Sequence, residues 1–390
     1  MPNSAASRLV LGPYSEEKVM AAARETLEAV GGQVSCAFVF TSSDYRPVLS
    51  DFLELVQVHG HVPTIVGCSG AGLIAMGLEA EGVNGFSLLF LNLPDTELIP
   101  FTFDQAMVEA LTEPRGWHER SGVENDDVDA WIAIGNPVTL PLEEWLDQWN
   151  AAFPGVPTIG GLASGGRDAS DIFVIHDRKI VESCVAIGFR GGVRVHTIVS
   201  QGCRPVGEPL TITGAEQNIV TSLGSRPAFE RLTETFETLP ADERAHAAGN
   251  LFAGLAMSEY VDEYKTGDFV VRNLIAADPA SGALAIGAHP RIGQTLQFQL
   301  RDRQSANADL LRMLLEKSRQ GVKPFASLVF ACNGRGRHLF GVPNHDASAL
   351  REQFGPVATA GIFCNGEIGP VGGKNFAHGY TASIALFADA

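Results

Sequence analysis

A basic stretch, a C-x-x-C pair and a long apolar run are all missing from this 390-residue chain, and each absence closes off a class of function. Lysine and arginine total 28 against 45 aspartates and glutamates, a formal net charge of −17. An acidic surface repels nucleic-acid phosphates and anionic lipid headgroups, so neither nucleic acid nor membrane is expected as a partner. The six cysteines, Cys36, Cys68, Cys184, Cys203, Cys332 and Cys364, stand far apart. That spacing is neither a disulfide framework nor a structural zinc site. It fits reduced thiols in a cytoplasmic protein, with no metal and no cofactor called for. No apolar run approaches the ~18 residues that span a bilayer. The opening MPNSAASRLVLGPYSEEK lacks the basic and apolar regions of a signal peptide.

What is present is apolar residue and glycine. Hydrophobic residues make up 45%, enough for a large core, and the 42 glycines gather in short loops rather than in low-complexity runs. That is the pattern of tight turns after strands.

One phrase occurs twice. Val62-Pro63-Thr64-Ile65 runs into Gly67-Cys68-Ser69-Gly70, and Val156-Pro157-Thr158-Ile159 runs into Gly161-Leu162-Ala163-Ser164-Gly165. A looser third version, Pro356-Val357-Ala358-Thr359-Ala360, runs into Cys364-Asn365-Gly366. Strand-like runs precede each copy at 36–40, 130–134 and 327–331, and amphipathic segments follow them at 48–58, 142–153 and 347–354. A further apolar strand closes each unit at 86–91, 184–189 and 382–387. The reading is an α/β fold of repeated β-α-β-glycine-loop-β units, forming mixed sheets in two packed domains.

Between the second and third copies the pattern changes. Segments 215–223, 227–237 and 243–258 read as helices, 268–275 and 283–288 as a hairpin, 295–300 as a strand and 305–319 as a helix. A boundary at Gly224-Ser225-Arg226-Pro227 divides the chain into 1–32, 33–225 and 226–390.

In open α/β sheets ligands bind beyond the carboxyl ends of strands, where small residues let a ligand approach backbone N–H groups. The candidate residues are Cys68, Ser69 and Gly70 in the first loop and Ser164 and Gly165 in the second. After strand 327–331 come Asn333 and Arg335, and after the third copy Asn365, Glu367 and His378, with Arg272 on the hairpin. Arginine clamps a carboxylate in bidentate fashion. Arg335 for an acid group and Glu367 for an ammonium group suit a small zwitterion such as an amino acid. Asp346 reads most simply as the N-cap of the helix after it. Enzyme signatures fail: Gly373-Lys374 misses the Walker A spacing, and neither a nucleophile elbow nor His-Glu-x-x-His occurs. A binding protein is expected before an enzyme. If it is an enzyme, Cys332 or Cys364 is the nucleophile, with His338, His345 or His378 as base.

These stretches resemble the FIST family. The likeness lies in Gly67-Cys68-Ser69-Gly70, Gly160-Gly161-Leu162-Ala163-Ser164, Gln201-Gly202-Cys203-Arg204-Pro205, Phe269-Val270-Val271-Arg272-Asn273, Cys332-Asn333-Gly334-Arg335-Gly336 and Gly366-Glu367-Ile368-Gly369-Pro370. The resemblance spans Gln33 to the C-terminus. It implies an N-terminal and a C-terminal FIST region forming a signal-input module that binds a small ligand, amino acids among the candidates. Since family members often carry an output domain, it also implies a separate signalling output protein as partner. A protein-interaction scaffold, as in relatives that carry an F-box, is the alternative.

Overall fold

The computed structural model describes residues 2–124, 127–247 and 249–390. They form two compact units, one of 1–199 with 311–390 and the other of 200–310. This partition differs from a division at residue 226.

In chain order the first segment runs β1 (Ser4–Leu11), α1 (Glu16–Val30), β2 (Cys36–Thr41), α2 (Leu49–Gly60), β3 (Ile65–Ser69), β4 (Gly72–Ala75), β5 (Leu78–Glu81), β6 (Gly85–Asn92), β7 (Thr96–Phe103), α3 (Gln105–Ala110), α4 (Pro114–Ser121), β8 (Ala130–Gly135), α5 (Leu142–Ala152), β9 (Thr158–Leu162), β10 (Val174–His176), β11 (Lys179–Val181), β12 (Cys184–Gly191) and β13 (Val193–Ser200). The second unit holds β14 (Cys203–Pro205), β15 (Leu210–Glu216), β16 (Ile219–Leu223), β17 (Arg226–Pro227), α6 (Ala228–Thr238), α7 (Ala241–Ala247), β18 (Leu251–Ala256), β19 (Phe269–Asp278), β20 (Ala283–Ile286) and β21 (Thr295–Arg301). Helix α8 (Arg303–Arg319) leads back to β22 (Ala326–Cys332), α9 (Gly336–Phe340), α10 (His345–Phe354), β23 (Ala358–Cys364), β24 (Glu367–Val371), β25 (Lys374–His378) and β26 (Ala382–Asp389).

The larger unit contains three six-stranded sheets with one strand order. They run β1-β6-β2-β3-β10-β11, β7-β12-β8-β9-β24-β25 and β13-β26-β22-β23-β4-β5. In each, the central pair is parallel (β2 with β3, β8 with β9, β22 with β23) and its neighbours are antiparallel. The hairpin after each parallel pair does not stay in its own sheet: β4–β5 joins the third, β10–β11 the first and β24–β25 the second.

The central strands are apolar on both faces, as a buried sheet demands. Along β2, Cys36, Phe38 and Phe40 face a core shared by all three sheets, with Ile132 and Ile134 from β8 and Leu328 and Phe330 from β22. The alternate residues Ala37 and Val39 face outward onto Val19 of α1 and Phe52 and Val56 of α2. The second sheet packs outward on an aromatic layer that includes Trp117, Trp131, Trp145, Trp149 and Phe153.

One glycine fixes each parallel pair. A Cβ at Gly67 would lie 1.7 Å from the Val39 carbonyl oxygen, one at Gly160 1.7 Å from that of Ala133, and one at Gly361 2.0 Å from that of Val329. Each glycine is the register partner of the residue whose oxygen it meets. Aligning these glycines puts the two Val-Pro-Thr-Ile phrases one residue out of step. Ile65 faces outward onto α1 and α2, whereas Ile159 faces the shared core. A one-residue shift exchanges the two faces of a strand, so the repeated phrase does not mark equivalent positions.

The N-terminal segment also folds. β1 pairs antiparallel with β6, from Ser4 opposite Asn92 to Leu11 opposite Gly85. Helix α1 starts at Ser15, whose side chain accepts the Lys18 N–H, and stops at Gly31 in the left-handed conformation.

In the second unit β21 pairs with β15 on one side and β18 on the other, closing an antiparallel ring β21-β15-β16-β20-β19-β18 around a core that includes Ile212, Val220, Phe298 and Leu300. Two helix expectations fail here. Residues 215–223 form the β15–β16 hairpin: Gln217, at φ 51°, turns the chain, and β-branched Ile219, Val220 and Thr221 favour extended backbone. Of 243–258, α7 takes the start, and β18 takes 251–256, after Gly249 at φ 79°. Position 248 lies outside the described residues. The expected hairpin forms as β19 and β20, with Asp278 opposite Ala283.

Candidate functional site

The carboxyl ends of β22 and β23 bring chemistry together. The parallel register sets Cys332 beside Cys364, on the same face. Cys364 is buried and Cys332 half-buried. After β23 the chain turns tightly, and Glu367, with no exposed surface, comes back under both sulfurs. Its Oε1 lies 3.3 Å from the Cys364 sulfur and its Oε2 accepts the Thr381 N–H at 3.0 Å. The same carboxyl also hydrogen-bonds to Cys332. Burial raises the Glu367 carboxyl well above the carboxylate range, against the pull of the Thr381 N–H, the thiols and Arg335. Burial likewise pushes the Cys364 thiol well up.

Arg335 sits beneath this cluster, itself without exposed surface. Its Nε donates to Asp346 Oδ2 at 2.6 Å and its Nη2 to Asp346 Oδ1 at 2.9 Å. The guanidinium lies 5.2 Å above the centre of the Phe340 ring, and His345 stacks on the same residue and bonds to Asp346. Burial works against the Asp346 charge, but Arg335 and His345 hold its carboxyl down at about 2. The fork of Arg335 is thus filled by Asp346, and Asp346 is not the N-cap. The start of α10 is instead capped from β5: Glu79 Oε1 accepts the Ala347 N–H at 2.9 Å. Glu81 does the same for α9, accepting the Arg337 N–H at 3.1 Å.

The first two loops differ from the third. Cys68, Ser69 and Ser164 have no exposed surface. The Ser69 N–H donates to Phe173 O, the Gly70 N–H to Thr41 O and the Ser164 N–H to Ser69 O. The Ser164 hydroxyl donates to Phe363 O and accepts from the Ala71 N–H. Gly165 stands against Gly70, where a Cβ would lie 2.9 Å from the Gly70 carbonyl oxygen. The glycines here admit backbone to backbone, and the donors that an anion was expected to meet at Ser69, Gly70 and Ser164 are spent inside the protein. Asn333 and Asn365 are exposed and bond to each other at 2.7 Å. His378 is buried opposite Glu367, with Nε2 3.0 Å from Gly369 O. Arg272 lies on β19, in the other unit.

A cavity of about 570 Å³ lies at the opposite, amino end of β23. Ala5, Ala6, Met76, Leu78, Phe325, Leu350 and Val357 give it apolar walls, and Ser7 and Thr359 add hydroxyls. Arg351 is the one ionisable side chain among the described residues that line it. No ion pair or side-chain hydrogen bond holds its guanidinium among the described residues. It lies across the β4–β5 turn, since a Cβ at Gly77 would be 3.5 Å from Arg351 Nη1. Met76 occupies that turn at φ 45°, a conformation that bulky residues rarely take. Sequence reading missed Arg351, Met76 and Glu79. An arginine late in an amphipathic helix looks like a solvated face, and Met-Gly is not a hairpin signal.

Comparison with known proteins gives the family. The FIST N domain matches residues 35–226 and the FIST C domain residues 228–370. An uncharacterized protein of Mycobacterium tuberculosis H37Rv is 35% identical over 372 residues, covering 95% of each chain. An uncharacterized protein of Mycobacterium bovis is 35% identical over 381 residues, covering 97% of each. Among solved structures, a cyanuric acid hydrolase from A. caulinodans aligns over 99% of each chain at 11% identity with a TM-score of 0.33, too low to carry an argument. The chain belongs to the FIST family, whose domains are sensory domains generally thought to bind small ligands. No helix among the described residues is long and apolar enough to cross a membrane.

Proposed function

We propose that this FIST protein senses an apolar carboxylate held in the cavity at the amino end of β23. The observation that carries the reading is the cavity's composition: apolar walls and one cation, Arg351. Its volume of about 570 Å³ lies within the ~300–1,000 Å³ of small-molecule sites. The apolar walls take the ligand's body, and the guanidinium takes its carboxylate through two parallel hydrogen bonds. Met76 at the rim, 41% exposed, supplies an adaptable apolar contact. An amino acid with a large apolar side chain falls within this class. Under this reading the chain works in the cytoplasm, and a separate output protein reads the bound state.

Thermal denaturation tests the proposal, with octanoate, octanol, acetate and leucine as probes. A ligand at a hundredfold excess over its Kd stabilises the fold by about 2.7 kcal/mol. Octanoate should raise Tm, acetate should not, and Arg351→Ala should remove the octanoate shift. Equal shifts with octanol and octanoate would sink the role given to Arg351. No shift with any probe would sink the cavity as the ligand site.

A further inference from the structure

Two thiols and an acid meet at the other end of β23, and neither the family nor the cavity reading uses them. Cys332 and Cys364 are in register on adjacent parallel strands. Neighbouring strands lie about 4.8 Å apart, within the roughly 4.4–6.8 Å that disulfides span between Cα atoms. Both side chains leave the same face, and one carboxyl, Glu367, hydrogen-bonds to both. The two sulfurs differ in access: Cys332 is half-buried at the loop mouth and Cys364 is buried behind it. The Gly334 N–H points at the Cys332 sulfur from 3.4 Å, a donor that favours thiolate. The Arg335 guanidinium adds positive charge nearby, although Asp346 offsets most of it. Cys36, Cys68, Cys184 and Cys203 are all buried.

We propose that Cys332 and Cys364 are a hydroperoxide-reactive dithiol, with Cys332 as the attacking sulfur, Cys364 as the resolving one and Glu367 as the proton carrier. In the first step Glu367, in its carboxylate form, takes the Cys332 thiol proton. The sulfur attacks the peroxide, an S–O bond forms, the O–O bond breaks, and the leaving alkoxide or hydroxide recovers that proton from Glu367. Cys332 is then a sulfenic acid. In the second step Glu367 takes the Cys364 proton, the S–S bond forms, the S–O bond breaks, and hydroxide leaves as water with the returned proton. Two thiols are oxidised to one disulfide, and one hydroperoxide is reduced to an alcohol, or to water when the peroxide is hydrogen peroxide, plus water. A carboxyl hydrogen-bonded to both sulfurs is placed to pass a proton between them. Access sets the order, because only Cys332 meets solvent.

The test treats the full chain with hydrogen peroxide at low protein concentration and maps its cysteines by mass spectrometry. Wild-type protein should lose two thiols and yield a Cys332–Cys364 crosslinked peptide, with the four other cysteines still alkylatable after denaturation. Cys364→Ser should stop at a Cys332 sulfenic acid that dimedone traps. Glu367→Gln should slow the oxidation of Cys332 at least tenfold while Tm stays high enough to show a folded protein. An unreacted Cys332, or a sulfenic acid that persists in wild-type protein, would overturn the dithiol. Because the wild-type map needs no substitution, a Cys364→Ser variant that failed to fold would not shield the idea. Oxidation of Glu367→Gln at the wild-type rate would remove that residue from the step. The cavity plays no part in any of these readouts, so either proposal can fall alone.

Discussion

The two ends of β23 are opposite solutions to the same problem. At the carboxyl end polar and charged groups are buried, and each is held: Arg335 by Asp346, Glu367 by Thr381 and the thiols, Ser164 by Phe363 and Ala71. At the amino end the walls of the cavity are apolar, and the one cation that lines it is exposed and has no ion-pair partner among the described residues. A group whose hydrogen bonds are complete inside the protein has little left to offer a ligand; a cation over an apolar cavity has nearly all of it. The difference teaches that glycine and charge density along a chain do not by themselves mark a binding site. Here they mark where three sheets and their exchanged hairpins are locked together.

The sharpest way to break the comparison is to remove one charge from each end. Asp346→Ala leaves Arg335 buried and unpaired, and breaking a buried pair this way costs about 3–5 kcal/mol. The loss should appear as a large fall in Tm or in the urea midpoint. Arg351→Ala should change stability by no more than about 0.5 kcal/mol, as exposed substitutions do. If the two variants lost similar stability, the contrast between a locked end and an open end would be wrong.

Acidity sharpens it next. Burial, then the nearby charge of Asp346, raises the Glu79 carboxyl to about 7, where it caps α10. Its Oε2 has no partner among the described residues, which suits a protonated acid. A carboxyl whose folded pKa is raised contributes stability that is fully present below its unfolded pKa and is lost as pH rises through the folded one. Stability should therefore fall as pH rises from about 4.5 to about 7, by up to roughly 3 kcal/mol from this group. Glu79→Gln should flatten that part of the profile. An unchanged slope between wild type and Glu79→Gln would show that the carboxyl is not protonated in the fold. Asp346 works in the other direction: its depressed carboxyl contributes stability that is lost only as pH drops toward about 2.

How much of this was legible in the chain follows from range. The central strands and their helices were, because period and burial are local: 36–40, 130–134 and 327–331 fall within β2, β8 and β22, and 142–153 nearly coincides with α5. The proximity of Glu367 to Cys364 was too, since only Asn365 and Gly366, in a tight turn, separate them. The pairing of Cys332 with Cys364 was not, because the two stand 32 positions apart in the chain and only strand register decides it. The capping of α10 by Glu79 was invisible for the same reason at greater length: that carboxyl stands 268 positions from the Ala347 N–H it accepts. A cap supplied by an exchanged hairpin leaves no mark beside the helix it caps, so Asp346, which has the right residue type next to the helix start, was the natural misreading. The Ala215–Leu223 hairpin was misread because Gln217 turns the chain without glycine or proline to announce it.

The smallest effect concerns Met76. In a type I′ two-residue hairpin turn both central residues take positive φ, which favours Asn-Gly; here Met76 and Gly77 have φ of 45° and 84°. A side chain other than asparagine or glycine in that conformation costs roughly 1 kcal/mol. Met76→Asn should therefore raise stability by up to about that amount, read as a small rise in Tm without ligand. The same variant removes an apolar rim contact, so octanoate should stabilise it less than it stabilises wild type. A strained residue that stabilises nothing in the empty protein, and whose relief weakens ligand binding, is what a sensor's cavity would keep. If Met76→Asn raised Tm and left the octanoate shift intact, the residue would be a tolerated turn defect. The amino end of β23 would then hold its ligand by Arg351 and the walls alone.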